Sequence, residues 1–154
     1  MTQQTQTTAG DMPNPNLKLL LVEDNDLDVF MVQRLMRRLN LDFPIIHAKN
    51  GEEALAILRP DPNACTLVPP FVMILDINMP RMNGFELLDE LGDDPMLAQI
   101  PIYIVSTSTR QKDKDKAMTY SIRGYVVKPV TQTVLLEILD STDEMTDTPI
   151  SRQG

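Results

Sequence analysis

Five short, largely apolar runs recur along the chain, and each is followed by a segment that reads as a helix. The runs are Leu17–Val22, Ile45–Ala48, Phe71–Leu75, Ile102–Val105 and Tyr125–Val127. They are short enough for strands, and they are apolar on consecutive residues rather than on alternate ones. Strands of that kind are buried on both faces, which is the signature of a parallel sheet covered by helices on each side. The intervening segments supply those helices. Within Asp26–Leu39, the residues Leu27, Phe30, Met31, Leu35 and Leu39 fall near helical spacing. Asn50 precedes Gly51–Arg59 with Glu53 three positions on, as in a capping box. Gly84–Leu91, a charged and exposed Gln111–Tyr120, and Thr131–Leu139 complete the set. The predicted architecture is β-α repeated five times, with right-handed crossovers.

A chain of 154 residues suits one domain. The flanks 1–16 and 141–154 are polar, the second one acidic, and both read as disordered tails around a domain spanning 17–140. Pro60–Pro70, with four prolines, reads as a loop. No apolar run approaches the ~18 residues of a membrane span. The N-terminal stretch has no apolar core of a secretory leader, so a cytoplasmic location is expected and no membrane partner. The single Cys65 leaves no internal disulfide. A formal net charge of −8 repels phosphate backbones and disfavours nucleic acid as a partner.

In parallel α/β sheets, ligands bind beyond the carboxyl ends of the strands. In this chain those ends carry Glu23 and Asp24, then Asp76, then Ser106 and Thr107, then Lys128 followed by Pro129. Each residue has an ordinary reading when taken alone. Asp24, Asn25 or Asp26 can cap the next helix. Asp76 can be a strand-end turn residue, Lys128 a solvated lysine, and Ser106 a strand-end hydroxyl. Together they define an acidic rim beside one ammonium. Crowded carboxylates either take up protons or bind a hard cation such as Mg²⁺, which prefers oxygen ligands and tolerates a phosphate oxygen among them. A carboxylate at such a rim can be phosphorylated, with cationic groups neutralising the charge that develops. Asp76 is the strongest nucleophile candidate, because it ends the most apolar strand. His47, the only histidine, lies in a short strand and is expected to be structural. The ten methionines are expected to fill the core, and the Lys112–Lys116 run to be a solvated helix face.

Four blocks in this order resemble the receiver domain of two-component response regulators: Leu21-Val22-Glu23-Asp24-Asn25, Leu75-Asp76-Ile77-Asn78-Met79-Pro80-Arg81-Met82-Asn83-Gly84, Pro101-Ile102-Tyr103-Ile104-Val105-Ser106-Thr107-Ser108, and Gly124-Tyr125-Val126-Val127-Lys128-Pro129. The spacings, 30 residues from Asp76 to Ser106 and 22 from Ser106 to Lys128, are also similar to the family's. The resemblance implies a flavodoxin-like (βα)5 fold with strand order 2-1-3-4-5. It implies that Asp76 is the phosphorylated residue and that Glu23, Asp24, Asp76 and the backbone carbonyl of Asn78 hold Mg²⁺. It implies that Ser106 and Lys128 contact the phosphoryl group, that Tyr125 is an aromatic switch, and that Lys128–Pro129 is cis.

The same resemblance implies a phospho-acceptor switch rather than an enzyme of general substrates, self-phosphorylation and self-dephosphorylation apart. The implied donor is a sensor histidine kinase, with phytochrome-type kinases suggested by the long 60–70 insert, or a histidine phosphotransfer protein. The output is expected in trans to a downstream target protein through the helix 4, strand 5 and helix 5 face, from a monomer or a phosphorylation-sensitive homodimer. An aspartate-nucleophile phosphatase is disfavoured, because such chemistry wants a second Asp where Asn78 stands. A phosphorylation-independent interaction module is the other alternative, and a nucleotide-binding role lacks a glycine-rich phosphate loop.

Overall fold

The computed structural model describes residues 16–59, 70–95 and 97–140. The two tails and the proline-rich 60–69 stretch therefore lie outside the described residues, apart from Asn16. Five strands form one parallel sheet in the order β2-β1-β3-β4-β5: β1 Lys18–Val22, β2 Ile45–Ala48, β3 Phe71–Leu75, β4 Ile102–Ser106 and β5 Gly124–Val127. The helices are α1 Asp26–Arg38, α2 Gly51–Leu58, α3 Gly84–Gly92, α4 Gln111–Ala117 and α5 Gln132–Asp140. This is the parallel β-α arrangement that the alternation of the sequence predicts, in the flavodoxin-like strand order that the family resemblance implies.

The unbroken apolar character of the central strands follows from the two cores they serve. Successive strand residues point to opposite faces. Leu19, Leu21, Val72 and Ile74 face a core closed by Val29, Val32 and Met36 of α1 and by Leu135, Ile138 and Leu139 of α5. Leu20, Val22, Met73 and Leu75 face the other core, closed by Leu55 of α2, by Leu87, Leu88 and Leu91 of α3, and by Ala117 of α4. Every residue of β3 is buried. The methionines divide: Met36, Met73 and Met79 are core residues, whereas Met31 and Met118 are exposed.

Local chemistry sets where the helices begin and end. The side chain of Asn25 accepts hydrogen bonds from Leu27 N and Asp28 N, so Asn25 is the cap of α1 and neither Asp24 nor Asp26 is. Asn50 caps α2 through Glu53 N, but the Glu53 carboxylate returns to Lys49 N rather than to the amide of Asn50. The complete reciprocal box lies elsewhere, between Asn83 and Glu86 at the start of α3. The fourth helix stops at Ala117, three residues short of the predicted Tyr120. There Thr119 donates both its amide and its hydroxyl to Lys116 O, which ends the helical ladder. A 3-10 turn at Leu97–Gln99, absent from the sequence reading, tucks Leu97 beneath the edge of the second core.

Leu75 is fully buried in the central strand. Leu75→Ala is expected to destabilise the protein by about 2–5 kcal/mol through lost burial and a residual cavity. Met118→Ala, at a residue 66% exposed, should stay within about 0.5 kcal/mol of wild type. Urea unfolding followed by circular dichroism measures both.

Candidate functional site

Parallel strands in register bring their following residues to one rim. Val22 pairs with Leu75 and Ser106 with Val127. The ladder then continues one residue past the strands: Glu23 N donates to Ala48 O at 2.9 Å, Asp76 N to Val22 O at 3.0 Å, and Lys128 N to Ser106 O at 2.8 Å. The backbones that carry the acidic residues and the lysine are thus held by the sheet itself. Ser106 is the last residue of β4 and is fully buried. Glu23 and Asp76 are also buried, whereas Asp24 is exposed.

Carboxylate oxygens of Glu23, Asp24 and Asp76 lie within 4.8 Å of one another. The ammonium of Lys128 answers this charge, donating to Glu23 Oε1 at 2.8 Å, Asp28 Oδ2 at 2.6 Å and Asp76 Oδ2 at 3.3 Å. The other oxygen of Asp76, Oδ1, accepts from Asn78 N at 3.0 Å. The Asn78 side chain reaches across to Ser106 Oγ at 3.4 Å, and the same hydroxyl oxygen accepts from Ser108 N at 3.0 Å. Tyr125 is half-buried on β5, and its hydroxyl donates to Ser108 O at 2.9 Å, tying it to the loop after β4. The Lys128–Pro129 peptide bond is cis.

The loop from Asp76 to α3 is shaped around close backbone approach. A Cβ on Gly84 would lie 2.7 Å from Ile77 Cα and 2.8 Å from Asp76 O. Only glycine allows α3 to start that near the acidic residue. Arg81 in the same loop adopts a left-handed φ of 67° and pairs with Glu52 across the surface.

The structure therefore brings together Glu23, Asp24, Asp76, Asn78, Ser106 and Lys128, with Tyr125 joined to Ser106 through Ser108. Thr107 lies at the exposed mouth of the site beside Lys128. Two contributors escape the strand-end rule. Asp28 sits in the first turn of α1, where an acidic residue reads as a favourable helix-dipole neighbour, and it makes the shortest contact to Lys128. His47, on the edge strand β2, donates from Nε2 to Glu23 O at 2.7 Å and steadies the backbone of the acidic pair.

Charge balance at the rim is incomplete. Burial pushes the Glu23 carboxyl up to about 7, against the lowering effect of its hydrogen bond from Lys128, and the charge of Asp76 adds to the rise. Burial alone would lower the Lys128 ammonium, but hydrogen bonds to Asp28 and Glu23 and the charge of Asp76 hold it above the ordinary lysine range. Among the described residues Lys128 pairs with three carboxylates and Asp24 adds a fourth acid beside them, so the rim fits a divalent cation bound by oxygen. Glu23, Asp24 and Asp76 are the residues placed to share it.

A five-stranded parallel sheet in this order, with an acid-and-lysine rim at its carboxyl end, defines a flavodoxin-like fold with an acidic candidate site. The chain belongs to the response regulator receiver domain family, whose model matches residues 19–140. It is 33% identical over 124 residues to chemotaxis protein CheY1 of Helicobacter pylori, covering 80% of this chain and 94% of that protein. The structure resembles the phosphorylated cyanobacterial phytochrome response regulator RcpA, with a TM-score of 0.67, 29% identity, and coverage of 83% of this chain and 91% of the other. It also resembles the Mn²⁺-bound form of response regulator Rcp1, with a TM-score of 0.62, 26% identity, and coverage of 86% and 94%. No helix among the described residues is long and apolar enough to cross a membrane.

The raised Glu23 value has a definite sign. Between its ordinary 4.5 and about 7 the folded protein keeps a proton that the unfolded chain has lost. That contribution to stability is complete below 4.5 and fades as pH rises through 7. A metal competes with the same proton. Apparent Mg²⁺ affinity should therefore weaken steadily from pH 8 to pH 6, with binding releasing up to one proton to the buffer at the acid end and none at the alkaline end. Calorimetric titration in buffers of different ionisation enthalpy measures both quantities.

Proposed function

We propose that this receiver accepts a phosphoryl group on Asp76 from the phosphohistidine of a sensor histidine kinase or a histidine phosphotransfer protein. The carrying observation is the asymmetric grip on Asp76. One carboxylate oxygen accepts from the Asn78 amide, and the other meets the Lys128 ammonium at 3.3 Å inside an acid-lined rim. The carboxylate is therefore oriented and next to a cation able to receive the incoming charge.

In the transfer, an oxygen of Asp76 bonds to phosphorus as the nitrogen–phosphorus bond of the donor breaks, and the imidazole nitrogen keeps the electron pair. Glu23, Asp24, Asp76 and the carbonyl of Asn78 are the groups proposed to hold Mg²⁺, which when bound supplies charge neutralisation for the phosphoryl oxygens. Lys128 turns its ammonium to one phosphoryl oxygen. The Ser106 hydroxyl, buried and already sharing its oxygen with two donors, turns its proton to another. Drawing Ser106 inward loosens Ser108, and with it the bond that holds Tyr125 to the same loop. The α4–β5–α5 face changes as a result and is read by a downstream protein, through a monomer or a phosphorylation-sensitive homodimer.

The name of the phosphorylated relative, a phytochrome response regulator, supports a phytochrome-type kinase as donor. A cytoplasmic location follows from that reading. The chain is a switch, whose own chemistry is confined to gaining and losing this phosphoryl group. General phosphatase activity is disfavoured by Asn78: its amide has no acidic proton to give a leaving group, and its side chain is engaged with Ser106.

Incubation with acetyl phosphate and Mg²⁺, followed by intact-mass spectrometry, tests the proposal. Wild type should gain the mass of one phosphoryl group, and Asp76→Asn should gain none. An unmodified wild type would leave only a phosphorylation-independent interaction module.

A further inference from the structure

The contact that the strand-end pattern does not explain is the one from Lys128 to Asp28. The lysine has three donors and meets three carboxylates, and the distances rank them: 2.6 Å to Asp28, 2.8 Å to Glu23 and 3.3 Å to Asp76. Asp28 is the outermost of the three, its side chain 34% exposed against 5% for Glu23 and 7% for Asp76. Its backbone is fixed, because its amide donates to the capping side chain of Asn25. A side chain in the first turn of a helix leans back toward the N-terminus, and from Asp28 that direction leads over the rim.

We propose that Asp28 is a positioning residue that draws the Lys128 ammonium outward in the resting protein and has to release it when Asp76 accepts a phosphoryl group. The inference rests on the proposed acceptance at Asp76 and goes further by naming a competitor for its key cation. A lysine is a flexible point charge, and its direction is decided by whichever anion offers more. In the resting protein that anion is Asp28. Once Asp76 carries a phosphoryl group, the nearer and more highly charged anion lies inward, and the Asp28 contact is exchanged for it. Asp28 thereby sets a threshold against phosphoryl acceptance. Its neighbour Asp26 separates this role from an ordinary helix-dipole effect. Both acids occupy the first turn of α1, but Asp26 is exposed and only Asp28 reaches Lys128.

The test is the affinity for beryllofluoride, a phosphoryl mimic that bonds to carboxylate oxygen, measured calorimetrically at saturating Mg²⁺. Asp28→Asn removes the competing charge and should tighten binding by about two- to fivefold, the scale of a partly exposed ion pair. Asp28→Glu, which keeps a carboxylate, should restore binding toward the wild-type value, and Asp26→Asn should leave it unchanged. Unchanged or weaker binding by Asp28→Asn would overturn the proposal, as would equal tightening by Asp26→Asn, which would mark a general charge effect. Wild type that fails to bind beryllofluoride at all would instead remove the reading of Asp76 itself, and this inference with it.

Discussion

The structure is organised around a repulsion that it does not fully relieve. Among the described residues, four carboxylates, on Glu23, Asp24, Asp28 and Asp76, gather at the carboxyl end of the sheet with the ammonium of Lys128 beside them. Bringing like charges together costs free energy, and burial makes that cost larger. The cost appears in the Glu23 carboxyl, raised toward neutrality. Such an arrangement persists only because the sheet over-determines it. Both cores press on the central strands, and the ladder extends past Val22, Leu75 and Val127 to hold the backbones of Glu23, Asp76 and Lys128. The rim therefore presents an electrostatic gap of the kind that a divalent cation fits.

Short hydrogen-bonded connections lead away from the rim. Asp76 is one hydrogen bond from Asn78, Asn78 from Ser106, Ser106 from Ser108, and Ser108 from Tyr125. These residues come from the ends of β3 and β4 and from β5, so the hydrogen bonds connect the acidic rim to the loop before α4 and to β5. On the other side of β4, Tyr120 donates to Asp89 and stacks on Phe85, linking the end of α4 to α3. Burial, reinforced by Asp89, pushes that phenol up to about 12, so the link stays a neutral hydrogen bond across the physiological range.

Much of this was legible in the sequence because parallel sheets write themselves plainly. Runs such as Phe71–Leu75 are apolar on every residue because both faces are covered, and a strand's last residue fixes which side chain follows at the rim. Glu23, Asp24, Asp76, Ser106 and Lys128 could therefore be placed together before any coordinates. What the sequence left unclear depends on side-chain reach. Asp28 lies on a helix, and nothing in its spacing says that it meets a lysine a hundred residues later. His47 looks like any edge-strand residue until its ring is seen against Glu23 O. The end of α4 was misjudged, where Thr119 decides it, and the reciprocal capping box expected at Asn50 and Glu53 stands instead at Asn83 and Glu86.

The central claim is that these carboxylates share one cation at the carboxyl end of the sheet. Paramagnetic broadening of backbone amide signals during a Mn²⁺ titration tests it most directly. The account predicts that the amides of residues 23–25, 76–79 and 106–108 broaden first and together, while the opposite ends of the strands stay sharp. Broadening centred instead on the acidic 141–154 segment or on the charged face of α4 would contradict it.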